Sequence, residues 1–494
     1  MKKIFILFTV LLVLGSACKK DFLSVDEKNP NNASSVPASF ILPAALNNTA
    51  ALLNNPYNYP FIYEWYGLWS ISGGYSQDVN MTAYNLLNSS YQGIWSTTYT
   101  ILNNFDYIEK NSTTAQNKPY KAIAKIMKAY LYHNLVDCYG NVPYSEALKA
   151  EAGILKPKYD DQKAIYEDLV VQLDSAMNLI ETKPADAVEV GANDIIYHGD
   201  MGRWAKFANT LKLKLLLQQT GMDNRASYIS GAITTTSSVG YLGAGEGAWV
   251  NPGFLQSTGK MSPFWETFYK QDGSAQNALT YFMAGQDACD FLIANNDPRK
   301  LRFFAPYAGT SIQGNYFGTV PLNLPSVTSK IGPGMLKAYT QDSPILTDIE
   351  SLFIQAEAAQ RGLITGDVKA LYEAAVTASV LFEGGPTGNT ANATAYLAQV
   401  KQLVNFDATA DKIKLILTQK WCALNGLSPM PVWTDYRRTG FPDFIHWSED
   451  PLKLNETPPV RLLYPQTEIS TNNDNVLLQG TINTFTSKIF WQNR

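Results

Sequence analysis

QAEAAQRGLITGDVKALYEAAV, the stretch from Gln355 to Val376, decides the fold of this chain. Alanines and larger apolar residues recur at intervals of three and four on both sides of a short break that contains Gly362, Gly366 and Asp367. That spacing predicts two amphipathic helices, and the break predicts the turn between them. A pair of helices rich in small residues is typical of a tetratricopeptide-like unit, which needs neighbouring pairs to bury its apolar face.

The same apolar spacing recurs along the chain and predicts a mainly α-helical protein. The segments that show it cover residues 118–140, 161–180, 202–219, 345–363, 367–382 and 411–427. Long insertions separate the helix pairs, so the repeat is irregular. The largest insertion, about residues 241–347, is rich in Gly, Pro, Asn and aromatic residues, which predicts ordered loops with a few short strands. Binding residues are commonly placed on such loops, supported by a rigid frame.

The bulk composition indicates a large, folded and mildly acidic protein. The chain has 494 residues, of which 46% are hydrophobic and 17% charged, and its formal net charge is −4. A core of this size excludes a disordered chain, and the acidic balance disfavours nucleic acid as a partner. Aromatic residues make up 12% of the chain. This is more than a core requires and indicates a recognition surface.

No motif for catalysis or cofactor binding stands out in the sequence. Cys138, Cys289 and Cys422 lack the spacing of a disulfide framework or a zinc site. The chain contains neither H-E-x-x-H nor G-x-S-x-G, and its glycine-rich pieces lack the Lys-Ser/Thr of a phosphate-binding loop. We therefore expect no cofactor, no metal and no catalytic residue. A glycosidase pair of carboxylates stays open as an alternative, because its two acids need only meet in space.

The N-terminus has the features of a lipoprotein signal. Residues 1–17 place two lysines before an apolar run that ends in small residues, and LGSAC at 14–18 is similar to a bacterial lipobox. We expect residues 1–17 to be a signal peptide, Cys18 to be lipidated, residues 18–37 to form a tether and residues 38–494 to form a single helical domain. Acyl chains on Cys18 would anchor that domain to a membrane without spanning it. An ordinary signal peptide with an incidental cysteine is the alternative.

Aromatic residues are concentrated between Tyr57 and Tyr99, where they occupy 12 of 43 positions among Asn, Ser, Gly and Gln. This mixture suits hydroxyl-rich ligands, since a ring face covers the C–H face of a sugar while amides and hydroxyls pair with its hydroxyl groups. Packing of the rings between helices is the alternative. We call this aromatic-rich segment the early loop. The predicted ligand face joins the early loop to the insertion and comprises Trp65, Trp69, Tyr75, Asp78, Trp249, Trp265 and Tyr269. Trp204 and Trp421 lie within predicted helices, and we expect them to fill the core.

Several motifs follow one another in a fixed order along nearly the whole chain. After the lipobox at Cys18 they are DCYGNVPYSEAL (137–148), GRWAKFANTLKLKLL (202–216), FIQAEAAQRG (353–362), QKWCALNG (419–426), WTDYRRTGFP (433–442) and PPVRLLYPQTEISTN (458–472). With these motifs the chain resembles the SusD/RagB family, the surface lipoproteins of Bacteroidetes outer membranes, and its SusD-like branch in particular. The resemblance implies four tetratricopeptide-like helix pairs in a right-handed frame, with irregular loops that build the ligand face.

The resemblance also implies a role without covalent chemistry. A SusD-like lipoprotein captures a nutrient, commonly a glycan, and acts as a lid over a SusC-like TonB-dependent transporter that imports it. This implies a protein that is lipid-anchored in the outer membrane and faces the cell exterior. We expect a helix-rich surface to dock onto the transporter, because repeat frames offer long continuous faces. The alternatives are uptake of a peptide or glycopeptide by the same mechanism, an enzyme of glycoside-hydrolase type, and a scaffold or adhesion lipoprotein without a transport role.

Five residues of these motifs are assigned to the scaffold rather than to the ligand, and for Trp433, Arg437 and Arg438 the resemblance implies that they recur in proteins with different nutrients. They are Trp421, Trp433, Arg437, Arg438 and Arg461. A guanidinium can cap helix carbonyls, pair with a carboxylate and stack on a ring at once. An arginine pair therefore suits a buried corner of the frame.

Overall fold

The computed structural model describes residues 36–492, and these residues are mainly helical. The predicted signal peptide, the lipidation site at Cys18 and the tether up to residue 35 lie outside the described residues. The helices are α1 (Ala38–Asn54), α2 (Pro60–Trp65), α3 (Val79–Thr82), α4 (Gln92–Asn111), α5 (Lys118–Tyr139), α6 (Gln162–Glu181), α7 (Met201–Gln218), α8 (Ala226–Thr234), α9 (Pro263–Phe268), α10 (Ala278–Tyr281), α11 (Gln286–Ala294), α12 (Lys300–Phe303), α13 (Asp348–Gln360), α14 (Val368–Glu383), α15 (Thr390–Leu397), α16 (Lys412–Ala423), α17 (Pro429–Thr439), α18 (Gln466–Thr471) and α19 (Asn473–Leu477).

Short antiparallel strands complete the described structure. They are β1 (Trp69–Ile71), β2 (Val142–Pro143), β3 (Tyr159–Asp160), β4 (Ala248–Val250), β5 (Phe282–Ala284), β6 (Phe304–Ala305), β7 (Lys330–Ile331) and β8 (Ser343–Leu346). One sheet has the order β1-β5-β7-β6, and β2 pairs with β3 and β4 with β8. The insertion at 241–347 supplies five of these strands and the short helices α9 to α12.

Consecutive helices pair to form a continuous frame. α4 packs against α5, α6 against α7, α13 against α14 and α16 against α17. The pairs also contact one another, because α5 packs on α6, and α13 packs on both α7 and α16. The helical segments predicted from apolar spacing are therefore confirmed, and so is the mainly helical fold class.

Local capping explains where the predicted helices begin. Asp161, Asp200, Thr347, Asp367 and Asp411 each precede a helix and accept a hydrogen bond from the backbone N–H three residues later. Such caps satisfy a donor that the first helical turn leaves free. The start predicted for one helix, at residue 345, is wrong by one turn. Residues 345 and 346 are the end of β8, and Thr347 caps α13.

Arg437 lies in a buried corner between α17 and the C-terminus of α5. It donates hydrogen bonds to the backbone carbonyls of Asp137 at 2.8 Å and Val460 at 2.7 Å. Its guanidinium carbon lies 3.8 Å from the centroid of the Trp433 ring. Arg461 donates to the carbonyl of Tyr139 in the same corner. These contacts fix the end of α5 to the chain segment that follows α17.

Arg438 joins α17 to α13. It donates two hydrogen bonds to the Glu357 carboxylate, at 2.5 and 2.8 Å, and a third to Asp435 at 2.9 Å. Burial acts to raise the pKa of Glu357, but the positive charge of Arg438 outweighs it and holds the pKa below its usual value. Trp421 is also buried and donates its indole N–H to the carbonyl of Tyr66 at 2.9 Å. The scaffold residues of the sequence motifs therefore make interior contacts.

Candidate functional site

Trp65 and Trp69, two members of the predicted ligand face, lie in the core and are 0% and 1% exposed. Trp69 stacks on Tyr63 with ring centroids 4.1 Å apart and donates its indole N–H to Asn425 at 2.8 Å. The prediction that these two rings are exposed is wrong. β1, which contains Trp69, is covered because it pairs with β5 of the insertion, and α2 turns Trp65 towards Tyr84. Eight of the 12 rings between positions 57 and 99 are buried.

Three tyrosines that remain accessible form a cluster at the surface. Tyr57 is 50% exposed, and Tyr75 and Tyr281 are half-buried. The ring centroid of Tyr281 lies 5.2 Å from that of Tyr75 and 6.4 Å from that of Tyr57. The Tyr75 hydroxyl is 2.7 Å from the Thr280 hydroxyl, so the early loop is tied to the insertion here. The early loop and the insertion therefore meet at the surface through tyrosines, whereas Trp69 contacts the insertion in the core.

A groove of about 660 Å³ begins at Tyr57. Its other walls come from α9 and from the polar loop before α10, and its lining includes Asn55, Pro263, Glu266, Thr267, Lys270, Gln276 and Asn277. Gln276 is held in place because its side-chain amide donates to the carbonyl of Glu266 at 2.6 Å. We call this groove, together with Tyr57, Tyr75 and Tyr281, the tyrosine groove. It combines ring faces with amide, hydroxyl and charged groups on one open surface.

Trp265 and Tyr269 stack on each other beside the tyrosine groove, with ring centroids 4.3 Å apart and planes at 22°. Both are half-buried. The groove is lined by the face of α9 that carries Pro263, Glu266 and Thr267. Helical spacing puts Trp265 on a neighbouring face of α9, so this stacked pair flanks the groove.

Asp78 is exposed and caps α3. Its carboxylate accepts hydrogen bonds from the backbone N–H groups of Asn80 at 3.0 Å and Met81 at 3.3 Å. The predicted contact of Asp78 with ligand was based on composition. In the structure its carboxylate caps the first turn of α3.

Trp249 lies in a different groove from the tyrosines. Ala248 and Val250 face the core, so the alternation of β4 turns Trp249 towards α14. There its ring stacks on Phe382, with centroids 5.1 Å apart and planes at 14°, and Lys337 Nζ lies 3.3 Å from the Phe382 ring centroid. This Trp249 groove measures about 720 Å³, and none of its lining residues lines the tyrosine groove. The residues of the predicted ligand face therefore do not form one surface, because Trp249 lines a groove separate from the tyrosine groove.

A buried carboxyl group lies near Tyr281 at the aromatic end of the tyrosine groove. Glu64 is 2% exposed, and its Oε1 has no hydrogen-bond partner within residues 36–492. Burial, and after it the nearby Asp78 carboxylate, raises the pKa of Glu64 to about 8. Burial, and then the Glu64 carboxyl, raises the pKa of Tyr281 as well. At pH 7 the Glu64 carboxyl is therefore mostly protonated, and the Tyr281 phenol is uncharged as tyrosines ordinarily are, so this end of the groove suits a neutral ligand.

Tyr57, Tyr281 and Asn277 were missed as site residues by the sequence reasoning. A usable signal was present in QDGSAQNALTY at 271–281, where Gly, Ser, Asn and Gln precede a tyrosine just as they surround Tyr75. The described residues contain no group of three or more His, Cys, Asp or Glu side chains placed to hold a metal ion.

Comparison with known proteins identifies one family and a group of solved structures. The family SusD-like, described as "Starch-binding associating with outer membrane", matches residues 30–465. A SusD homologue from Bacteroides uniformis ATCC 8492 is 21% identical with a TM-score of 0.75, over 92% of this chain and 100% of the other. A SusD-like protein from Bacteroides thetaiotaomicron VPI-5482 is 21% identical with a TM-score of 0.74, over 93% and 99%. A chitin-binding protein is 23% identical with a TM-score of 0.74, over 93% and 100%.

These solved structures share the fold of this chain over almost its entire length. Among curated proteins, none matches the chain. Within residues 36–492, none of the helices combines the length and the apolar character needed to cross a membrane.

Proposed function

This chain belongs to the SusD-like family of proteins that associate with the outer membrane, and we propose that it captures a glycan nutrient at the cell surface for a TonB-dependent transporter. The observation that carries the proposal is the tyrosine groove, in which accessible rings border a surface of amides and hydroxyls. Ring faces cover the C–H faces of sugars, and the amides and hydroxyls pair with sugar hydroxyl groups. One protein with the same fold is a chitin-binding protein, which is consistent with this ligand class.

The protein acts by holding its ligand rather than by reacting with it. The groove's aromatic end favours a neutral ligand, because burial raises the pKa of Glu64 to about 8 and the Tyr281 phenol is uncharged at neutral pH. A neutral oligosaccharide can enter such a site without the desolvation penalty of a charged ligand. The lipid on Cys18 keeps the domain at the outer membrane, and a SusC-like TonB-dependent transporter carries the released glycan inward.

A peptide or glycopeptide is the second candidate ligand, and the Trp249 groove favours it. Its lining combines the apolar Trp249, Phe382, Leu381 and alanines of α14 with three carboxylates, Asp342, Asp348 and Glu373, and one basic side chain, Lys337. An apolar lining with acidic groups suits a chain that bears an apolar side chain next to Lys or Arg. Under this reading Trp249 contacts ligand, but a ligand different from that of the tyrosine groove.

A binding screen tests the proposal directly. The soluble chain from Lys19 onward is applied to a glycan array and to a peptide library, and each hit is then titrated. For a glycan hit, Tyr57→Ala and Tyr281→Ala are expected to weaken binding by about 1 to 3 kcal/mol, the range for aromatic hot spots. Tyr307→Ala is the matched control, because Tyr307 is a partly exposed tyrosine that belongs neither to the groove lining nor to the ring cluster of Tyr57, Tyr75 and Tyr281.

Three outcomes would contradict the glycan proposal. The first is binding of peptides and of no glycan, which would favour the second candidate, with Trp249→Ala as the sensitive variant. The second is glycan binding that is unaffected by both groove variants. The third is cleavage of the bound glycan, detected as new reducing ends, which would indicate a glycoside hydrolase.

A further inference from the structure

The Trp249 groove lies on the helical frame and carries more negative than positive charge. Helices α13 and α14 supply much of its lining, and β4 supplies Trp249. Among the described residues, the ionisable side chains that line it are the acids Asp342, Asp348 and Glu373 and a single base, Lys337. A positively charged group is therefore the charged ligand that this groove attracts.

Lys337 offsets little of this negative charge, because its ammonium group is held against Phe382. Its Nζ donates to the backbone carbonyl of Phe382 at 2.6 Å and lies 3.3 Å from the centroid of the Phe382 ring. Burial lowers the pKa of Lys337, and the nearby Glu383 carboxyl opposes this shift only in part. The groove therefore keeps a net negative charge beside its stacked rings.

Asp348 has one carboxylate oxygen to offer to a ligand. The residue is 9% exposed, and its Oδ2 accepts a hydrogen bond from the backbone N–H of Gly245 at 2.8 Å. Its Oδ1 accepts no hydrogen bond from any residue between positions 36 and 492. A Cβ atom on Gly247 would lie 2.7 Å from this Oδ1 and 2.6 Å from the indole nitrogen of Trp249. The unpaired oxygen and the edge of the Trp249 ring therefore lie close together.

Glu373 adds a second carboxylate, on α14. It is half-buried and belongs to no ion pair in the part of the chain that the structure describes. Lys369, one turn earlier on the same helix, pairs with Asp407 at 2.5 Å. Thr377, one turn after Glu373, lines the groove as well and contributes a hydroxyl group. A ring, two carboxylates and a hydroxyl therefore border one open volume.

We propose that the Trp249 groove is a second ligand site, which binds amino sugars that carry a free, positively charged amino group. The Trp249 ring covers the C–H face of the sugar and attracts the ammonium group. Asp348 Oδ1 and Glu373 accept hydrogen bonds from that ammonium group, and Thr377 pairs with a sugar hydroxyl. The inference rests on the proposed function in taking a glycan as the ligand. It assigns cationic sugars to this groove and leaves neutral sugars to the tyrosine groove.

A lysine side chain of a peptide carries the same ammonium group but suits this site less well. Because Asp348 Oδ1 and the Trp249 ring edge lie close together, the ligand has to present its cation directly beside a flat apolar face. A sugar ring holds its amino group rigidly in that position. The four-carbon stem of lysine places the ammonium group at the end of a flexible chain, whose rotamer freedom is lost on binding.

Calorimetric titration of the soluble chain with two matched probes tests this site. The first probe is a β-1,4-linked glucosamine hexasaccharide, whose amino groups are free, and the second is its fully N-acetylated counterpart, which is neutral. At about pH 5.5 the amino groups of the first probe are protonated, while ordinary Asp and Glu side chains are ionised. We expect the wild type to bind the free-amine probe.

Charge-removing variants of the groove provide the decisive measurement. Glu373→Gln and Asp348→Asn keep the shape of each side chain, and each is expected to weaken binding of the free-amine probe about tenfold. Trp249→Ala should weaken it by about tenfold or more, and Trp249→Phe, which keeps a ring, should retain most of the affinity. Glu456→Gln is the control and should bind as the wild type does, because Glu456 is 86% exposed and does not line the groove.

Failure of the free-amine probe to bind, or unchanged affinity in both Glu373→Gln and Asp348→Asn, would overturn the proposal. An equal loss of affinity for the acetylated probe in these variants would also overturn it, since the site would then take neutral glycans. Tighter binding of hexalysine than of the free-amine probe would do the same and would favour the peptide candidate. Tyr57 does not line this groove, so the glycan titrations of Tyr57→Ala report on the tyrosine groove alone. A failure of either site is therefore distinguishable from a failure of the other.

Discussion

Arg438 and Glu357 form a two-point ion pair in the interior, with N–O distances of 2.5 and 2.8 Å. The pair joins α17 to α13. The two residues are 81 positions apart in the sequence and belong to different motifs. Both side chains are almost fully removed from water. An interior pair of this kind is costly to break, because the remaining partner keeps an uncompensated buried charge.

Arg438→Met is therefore expected to destabilise the protein by about 3 to 5 kcal/mol. Arg438→Lys should also destabilise it, since an ammonium cannot make the same two parallel hydrogen bonds. Urea denaturation of the soluble chain gives the free energy of unfolding. Arg361→Ala is the control, because Arg361 pairs with the same Glu357 but is 27% exposed, and we expect a loss of about 1 kcal/mol or less. Equal losses in Arg438→Met and Arg361→Ala would contradict the structural role of Arg438.

The helices were predictable because their signals are local. Apolar spacing and the Asp and Thr caps act within a few residues, so the segments around Asp161, Asp200 and Asp367 reveal their helices without the rest of the chain. α17 was not predicted as a helix, because two prolines stand in its first turn and polar residues dominate its length.

The accessibility of individual aromatic rings to a ligand was less predictable, because the exposure of a ring depends on contacts with residues that are distant in the sequence. Trp69 and Tyr75 share one loop of similar composition, but Trp69 is covered by β5, whose Ala284 lies opposite it in the sheet. Tyr75 lies beyond the end of that strand and keeps part of its surface. Local composition therefore indicated a loop that keeps an accessible ring and could not indicate which of its rings is exposed.

Trp69→Ala is expected to destabilise the protein by about 3 to 5 kcal/mol, as loss of a buried aromatic side chain does. The change removes the stack on Tyr63 and leaves the Asn425 carbonyl oxygen without its donor. Trp265→Ala is the matched comparison, because Trp265 is half-buried on α9. Urea denaturation should give a clearly smaller loss for Trp265→Ala. A near-wild-type stability for Trp69→Ala would show that this ring is not part of the core.

Cys18→Ala is expected to release the protein from the membrane. The physical reason is that the acyl chains supply about 0.8 kcal/mol of membrane affinity for each buried CH₂ group. Cell fractionation without detergent measures the effect. Ser35→Ala, in the predicted tether, serves as the control. A variant that still sediments firmly with the membranes would contradict lipidation at Cys18.

Glu64→Gln is expected to reduce the loss of stability as the pH rises. The pKa of Glu64 in the folded protein is raised from 4.5 to about 8 by burial and then by Asp78. Below pH 4.5 the carboxyl is protonated in both the folded and the unfolded chain, so its ionisation does not change the free energy of unfolding. Between pH 4.5 and 8 the unfolded chain ionises while the folded chain does not, which favours unfolding by up to about 1.4 kcal/mol for each pH unit. Above pH 8 both states are ionised, and the loss is complete.

The amide introduced by Glu64→Gln does not titrate, so the free energy of unfolding of this variant minus that of the wild type should increase from pH 5 to pH 8. Urea denaturation at pH 5, 6.5 and 8 measures this difference, and the comparison cancels the contributions of other groups such as Asp287, whose pKa burial raises to about 6. Glu456→Gln is the control, since that side chain is 86% exposed and its removal should give a profile parallel to the wild type. A constant difference for Glu64→Gln across the three pH values would mean that Glu64 ionises normally and that a charged carboxylate lies near Tyr281 at pH 7.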